Sequence, residues 1–376
     1  MDRHAIGDLF ALAKGRKAVE VYSESAPGAS RYIQIEDLRT DNDLKYAIDP
    51  SGTTVAPEDI CIAWDGANAG TVGYGLTGLI GSTIARLRPI NGKRVFTPYI
   101  AKYLQSQFKA LNQAATGATI PHVSRDKLLG LSPALPEYSE QRRIAAILDK
   151  ADGIQKKRRE ALMLADDFLR SVFLDMFGDP TTNPKGFPIQ PLGNLSEVRT
   201  GATPSRDRPD YYGGDIPWVK TGEVDEDLIV DAEERITASA IAETNCKVFP
   251  VGTILVAMYG QGKTRGKCGV LGIPAATNQA CAAVMPTDSI SNSYLFYLLR
   301  ASYETIRAMG RGGNQENLNL GMIKNIGIPI PPSALQNRFS DIAMAVSRNK
   351  AHQKSSLQEA MSLFASVSAS AFNGKI

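Results

Sequence analysis

Residues 139–177 read SEQRRIAAILDKADGIQKKRREALMLADDFLRSVFLDMF. The stretch holds no proline and a single glycine, and it predicts one helix of about 39 residues, roughly 58 Å long at about 1.5 Å per residue. Ile144, Leu148, Ala151, Gln155, Arg158, Leu162, Ala165, Leu169, Val172 and Met176 step by 4 and 3 in alternation. That is the heptad spacing of a helix packed along a second helix. The chain supplies the partner itself. Adding 195 to each number gives Phe339, Ala343, Val346, Lys350, Gln353, Leu357, Ala360, Phe364, Val367 and Ala371. Both stripes are apolar at their ends and polar at the same place, where Gln155 and Arg158 correspond to Lys350 and Gln353. The residues expected to carry helix pairing are Leu148, Leu162, Leu169, Val172, Val346, Leu357, Phe364 and Val367.

The same offset of 195 runs upstream of the helices. It matches Tyr99 to Tyr294, Leu104 to Leu299, Gly117 to Gly312, Leu128 to Ile323, Pro136 to Pro331, Gln141 to Gln336 and Arg143 to Arg338. Farther back it drifts to 186, where Ile6-Gly7-Asp8-Leu9 lines up with Leu192-Gly193-Asn194-Leu195, as loop insertions would make it. The chain therefore reads as two copies of one unit, a globular head followed by a long helix. The expected fold is α+β. Two mixed heads are joined by two long antiparallel helices with a pseudo-twofold internal repeat, which sets the heads at opposite ends. The first head covers 1–138 and the first long helix 139–178; the second head covers 179–333 and the second helix 334–376.

The 376 residues are 43% hydrophobic, enough for more than one core. A net charge of +3 is compatible with a nucleic-acid binder whose basic residues are local. The N-terminal MDRHAIGDLFALAKGRKA lacks a signal-peptide apolar core, and no run approaches the ~20 apolar residues of a membrane span, so a cytoplasmic location without membrane contact is expected. Cys61, Cys246, Cys268 and Cys281 show no C-x-x-C spacing and only three His occur. No metal site is expected, and the cysteines read as reduced, buried thiols.

Within the first head, RYIQIEDL, DICIAWDG and STIARLRP read as strands between tight turns, and TPYIAKYLQSQFKALNQ as a helix with Tyr99, Tyr103, Leu104 and Phe108 on one face. Pro133 and Pro136 end regular structure, and Ser139 is the expected N-cap of the long helix. GDPTTNPKGFP is a linker. The second head repeats the plan, with the strand-like GTILVAMYG, a glycine-rich loop, the helical NSYLFYLLRASYETIRAM, and Phe372-Asn373-Gly374 as a stop after the last helix.

Residues 257–264, AMYGQGKT, fit a relaxed phosphate-loop pattern with Ala for the first Gly. A phosphate loop must open a helix whose N-terminal amides face the phosphates, whereas RGKCGVLGIP follows here, a hairpin composition. No Asn/Asp-Pro-Pro-aromatic loop, nucleophile elbow or metal-ligand spacing appears, and Glu223, Asp225, Glu226 and Asp227 read as a solvated turn. Catalysis by this chain and a bound cofactor are not expected. Basic, aromatic and amide residues do share loops. Arg206, Arg208, Tyr211 and Tyr212 lie in one, with Lys220 shortly after; Tyr259, Gln261, Lys263, Arg265 and Lys267 lie in another; Arg311, Asn314 and Gln315 in a third. Arg31, Gln34, Asn68 and His122 are the first head's candidates. Arg and Lys suit guanine edges and phosphates, and Asn and Gln suit adenine, so these loops read as a DNA-binding set, against the plainer reading of ordinary surface loops.

The residues GATPSRDRPDYYGGDIPWVKTGEV, TNQACAAV, GNQENLNLGMIKNIGIPIPP and, between the copies, LPEYSEQRRIAAILDKAD resemble the specificity subunit of Type I restriction-modification systems over essentially the full length. The first head retains GATIPHVSRDKL, and in the second copy Leu335 stands where Glu140 stands in the first. The resemblance implies two target-recognition domains, each reading one part of a split, asymmetric site in double-stranded DNA. It also implies two modification subunits, which methylate adenine, docked on the long helices, and restriction subunits that translocate and cleave. The alternatives are a coiled-coil scaffold presenting two protein-binding heads, or a nucleotide-binding protein using the loop around Lys263.

Overall fold

The computed structural model describes residues 2–90, 95–113, 122–224, 228–260, 262–310 and 317–372. Two compact units emerge, Met1–Glu160 with Lys354–Ile376, and Ala161–Gln353. Each unit therefore holds one head and a part of each long helix.

The first long helix runs Tyr138–Phe177 and the second Ser333–Phe372, forty residues each. The first opens one residue before the expected Ser139, because the Glu137 carbonyl takes the first N–H groups, from Glu140 at 2.9 Å and Gln141 at 3.0 Å. Its counterpart 195 residues on, Pro332, caps the second helix in the same way through Leu335 and Gln336. The linker after the first helix is held by Asp179, whose carboxylate accepts from the N–H and hydroxyl of Thr181. These bonds, the hydroxyl's first, lower its pKa.

In the second unit the helices run antiparallel. Asp166 meets Lys350 at 2.7 Å, while Phe173 and Phe177 close on Phe339 with ring centroids 5.4 and 5.5 Å apart. In the first unit Ile144, Ala145 and Leu148 share a core with Phe364, Val367, Ala371 and Phe372. Leu148 and Leu169 are fully buried, and Leu162, Val172, Val346, Leu357, Phe364 and Val367 are half-buried, whereas Met163, Leu164 and Phe168 beside the stripe are exposed. An antiparallel arrangement pairs residues whose numbers fall as their partner's rise. Gln155 and Lys350 are thus counterparts in the repeat rather than partners, and Asp166 is the residue that answers the buried Lys350.

The first head carries a four-stranded antiparallel sheet in the order Phe10–Lys14, Ile84–Pro89, Ile60–Ala63, Val72–Tyr74. A second sheet holds Tyr46–Ala47, Ser30–Ile33, Gly78–Ile80 and Thr54–Val55. The second head repeats the first order with Val198–Thr200, Cys281–Val284, Ile254–Ala257 and Cys268–Leu271, adding Leu228–Ile229 in parallel at the edge. Its other sheet packs Glu234–Ile236, Tyr212–Val219 and Ala276–Thr277. The two apolar stretches read as single helices are each broken once, at Gln107 and at Ser302, 195 residues apart. Thr97–Ser106 and Asn292–Ala301 are the buried pieces, and shorter helices follow each break.

The repeat extends to single hydrogen bonds. Tyr99 Oη donates to the Ala134 carbonyl at 2.7 Å, and Tyr294 Oη to the Pro329 carbonyl at 2.8 Å. Gln141, fully buried, accepts from the Phe96 N–H and donates to the Pro136 carbonyl; Gln336 does both with Ser291 and Pro331. Every one of these partners lies 195 residues from its counterpart. Tyr99 packs on Phe372 at 5.4 Å and Tyr294 on Phe177 at 4.7 Å, so each head grips the end of the helix belonging to the other copy. Buried polar groups with complete partners define one geometry, which is why the same frame recurs under different surface residues.

Candidate functional site

In the second head the loop after Val198–Thr200 begins at Gly201, where a Cβ would stand 1.9 Å from the Thr277 carbonyl oxygen, so only glycine fits. The loop is then buttressed from below. Trp218 Nε1 and the Cys246 thiol both donate to the Ala202 carbonyl, at 3.1 and 3.2 Å, and Tyr212 Oη donates to the Pro204 carbonyl at 2.7 Å. On this platform the Arg206 guanidinium lies over the rings of Tyr212, at 4.4 Å, and Trp218, at 5.3 Å. Glu234 holds it at 2.8 Å and also accepts from Lys220 at 3.1 Å, so Arg206 and Lys220 share one carboxylate. Glu233 adds a second bond to Lys220. These bonds lower the Glu234 pKa and raise those of Arg206 and Lys220. Arg208 stacks on Tyr211 at 4.4 Å and pairs with Asp210 at 2.7 Å and Glu243 at 3.4 Å; its pKa is raised, chiefly by the bond to Asp210. Tyr211 itself is buried under the Arg208 guanidinium, with its hydroxyl on Glu243.

The glycine-rich segment joins the antiparallel strands Ile254–Ala257 and Cys268–Leu271 as a hairpin loop. Gly260, Gly262 and Gly266 all take positive φ there. Tyr259 and Lys263 are exposed. Arg265 and Lys267 are half-buried, and Arg265 Nε is buried without a partner among the described residues. The loop is pinned from outside by Tyr303, whose hydroxyl donates to the Lys263 carbonyl at 2.7 Å and accepts from Arg307. No helix opens at this loop among the described residues, so the amide cradle a nucleotide phosphate needs is not formed by a helix start. Gln261, Arg311, Asn314 and Gln315 lie outside the described residues.

In the first head Arg31 is held by Asp37 at 3.0 Å and by Asp41, and the Gln34 N–H donates to Asp37 at 2.6 Å, so Asp37 joins the two candidates. Burial alone would lower the Arg31 pKa; the two carboxylates reverse the direction and raise it. Asn68 is exposed and accepts from Arg39, which also bonds Thr71 Oγ1. The same hairpin bridges through Asp65 to His122, also exposed. Arg39 escapes a sequence reading because its acceptors lie about thirty positions away. A third cation, Lys102, is buried between head and helix. Burial alone would depress its ammonium, but bonds to Asp152 and Asp149 outweigh that and raise it. Burial, and then donation to Asp149, push the neighbouring Tyr74 phenol up to about 12. The four cysteines are buried, and burial pushes the Cys61 and Cys281 thiols up to about 12.

Each copy of the frame carries its own set of cations, aromatics and amides, and a family model matches both copies. The model of the Type I restriction modification DNA specificity domain matches residues 2–163 and 184–359. The chain belongs to that family. It is 24% identical over 359 residues to the MjaVIII specificity subunit of Methanocaldococcus jannaschii, covering 87% of this chain and 81% of that protein. With the MjaIX specificity subunit of the same organism it shares 29% over 167 residues, 42% of this chain and 37% of that one. The crystal structure of the Type I system S subunit from M. genitalium superposes with a TM-score of 0.65 at 16% identity, covering 99% and 96% of the two chains. A chain from a structure addressing complex assembly and conformational transition of the type I R-M system gives 0.54 at 19% identity, covering 100% and 98%. These structures share the specificity-subunit fold. No helix among the described residues is long and apolar enough to cross a membrane.

Proposed function

We propose that this specificity subunit reads a bipartite, asymmetric site in double-stranded DNA, one half-site per head, and carries the modification and restriction subunits without catalysing a reaction itself. One observation carries the reading: an identical hydrogen-bonded frame, Tyr99 and Gln141 in one head and Tyr294 and Gln336 in the other, presents unlike loops. The equal frame would place each head on the duplex in the same manner. The unlike loops, Arg31, Gln34 and Asn68 in one and Arg206, Lys220 and the Lys263 hairpin in the other, would then read different bases. The long helices serve as the ruler between half-sites and as the dock. Phe168 and Leu363, 195 residues apart, are 52% and 64% exposed beside the buried stripes. Large apolar side chains at two equivalent exposed places fit two equivalent modification subunits.

The scaffold alternative draws on the ion pairs of Arg31, Arg206, Arg208 and Lys220, which leave those cations neutralised by carboxylates. A gel shift separates the two: DNA binding with a steep salt dependence supports the reader, and its absence supports the scaffold. Methylome sequencing with and without the gene tests the full proposal. Loss of methylation at one split, non-palindromic adenine motif is the expected result, and an unchanged methylome refutes it.

A further inference from the structure

The second head has a cleft of about 530 Å³ whose wall includes Arg199, Thr200, Asn245, Lys247 and Lys324, with Glu197 the one carboxylate. Lys247 follows Cys246, whose thiol donates to the Ala202 carbonyl, so it stands beside the platform that carries Arg206. Lys324 ends the short helix Leu320–Lys324, capped by the Asn319 side chain. Gly193 lets the Lys324 stem lie close, since a Cβ at Gly193 would sit 3.1 Å from the Lys324 Cβ. Thr200 borders Gly201, where the Arg206 loop starts. Arg199 is paired with Glu197 at 2.5 Å. Lys247 and Lys324 are exposed, and their ammonium groups have neither an ion pair nor a hydrogen bond among the described residues.

That freedom separates them from Arg206, Arg208 and Lys220 and is shared with the exposed Lys263. Arg206, Arg208 and Lys220 each hold a carboxylate that a phosphate would have to displace. Lys247 and Lys324 would have none to displace. An ammonium is a compact point charge with rotatable donors, suited to a phosphate oxygen and indifferent to base identity. An open cleft that has lysines on two separate segments and also a hydroxyl, an amide and a carboxylate in its wall matches an extended polyanion better than a single small anion. At the offset of 195 the first head has Leu129 where the second has Lys324, so this lysine is not repeated.

We propose that this cleft seats the phosphodiester backbone beside the second half-site, with Lys247 and Lys324 as its phosphate contacts. The inference rests on the DNA-reading function proposed above. The test uses the full-length chain, a duplex carrying the motif found by methylome sequencing, and the K247A/K324A and K247R/K324R double variants. Removing one lysine–phosphate pair makes the slope of log K against log salt shallower by about 0.9, so the alanine variant should be shallower by about 1.8, equivalent to roughly 60-fold in affinity at 0.1 M salt relative to 1 M. The methylated motif and the melting temperature should stay unchanged, and the arginine variant should recover the slope. A wild-type slope in the alanine variant overturns the proposal while leaving DNA reading intact, and an altered motif overturns it by making these residues base readers. Failure of the wild-type chain to bind any duplex overturns the DNA-reading function and this inference with it.

Discussion

Phe173 offers the sharpest test of how the helices and heads are held together. Its ring is 1% exposed and faces Phe177, Tyr294 and Phe339 with centroids 5.0, 5.7 and 5.4 Å away. The repeat places Ser368 at the same position of the other unit, where its hydroxyl is buried without a partner among the described residues. A cleft of about 540 Å³ opens there, lined by Ser368, Tyr103, Phe364 and Phe372. Phe173→Ser should therefore copy the looser seam into the tighter unit. Deleting a buried phenyl ring costs about 3–5 kcal/mol, and a buried unpaired hydroxyl adds about 1–3 kcal/mol, so a loss of roughly 4 kcal/mol or more is expected. For a unit in the 150–250-residue range that corresponds to a melting point lower by roughly 8–16 °C. The reciprocal Ser368→Phe should fill the cleft and stabilise the first unit by about 0.5–2 kcal/mol. Scanning calorimetry of both variants, beside Phe168→Ser at a position 52% exposed, reads the outcome. Equal melting of Phe173→Ser and Phe168→Ser would refute the packing argument.

Leu162→Asp puts a charge into the half-buried stripe and should cost several kcal/mol, about 2–4, while Glu160→Ala at an exposed position should stay within about 0.5 kcal/mol; identical melting curves would sink the paired-helix account. Lys263→Ala should weaken DNA binding and reduce its salt slope by about 0.9, and ATP titration of wild type and variant should give no saturable signal; saturable ATP binding that the variant loses would revive the nucleotide reading. The raised pKa values of Tyr74 and Lys102 mean that their stabilisation is whole below the unfolded values near 10 and fades as pH rises toward 12. Denaturant midpoints between pH 9 and pH 12 should fall, and Tyr74→Phe should flatten the drop; an equally steep drop in that variant contradicts the assignment. A fragment of residues 1–178 should dimerise, because Phe177 of a second copy has the counterpart position of Phe372 against Tyr99 and Phe173 that of Ser368. Asp166 would lose Lys350 and meet Gln155 instead, which weakens the dimer. Sedimentation, then methylation mapping with the modification subunit, should find a dimer and a palindromic motif; a well-folded monomer would show that the halves are not interchangeable.

The long helices and the repeat were legible in the amino-acid order because both are periodic. A 4,3 alternation reports which face is buried, and a constant offset of 195 reports equivalence without any coordinates. The offset even marks the hydrogen bonds of Tyr99 and Tyr294, although it could not say which carbonyls they reach. The breaks at Gln107 and Ser302 escaped the pattern, since the apolar spacing continues across both. The seam partner of Lys350 was equally hidden, because a register by offset identifies counterparts, whereas antiparallel packing decides contacts and delivers Asp166. At the recognition surface the limit is greater. Residue types mark Arg206, Arg208 and Lys220 as cations suited to DNA, but only the tertiary structure brings Glu234, Glu243 and Glu233 to them across 28, 35 and 13 positions. It also leaves Lys247 and Lys324 uncompensated on one cleft. Charge lies in the sequence. Whether a charge is neutralised or free depends on distances of a few ångströms between segments far apart in the chain, and those exist only once the sheets and helices have packed.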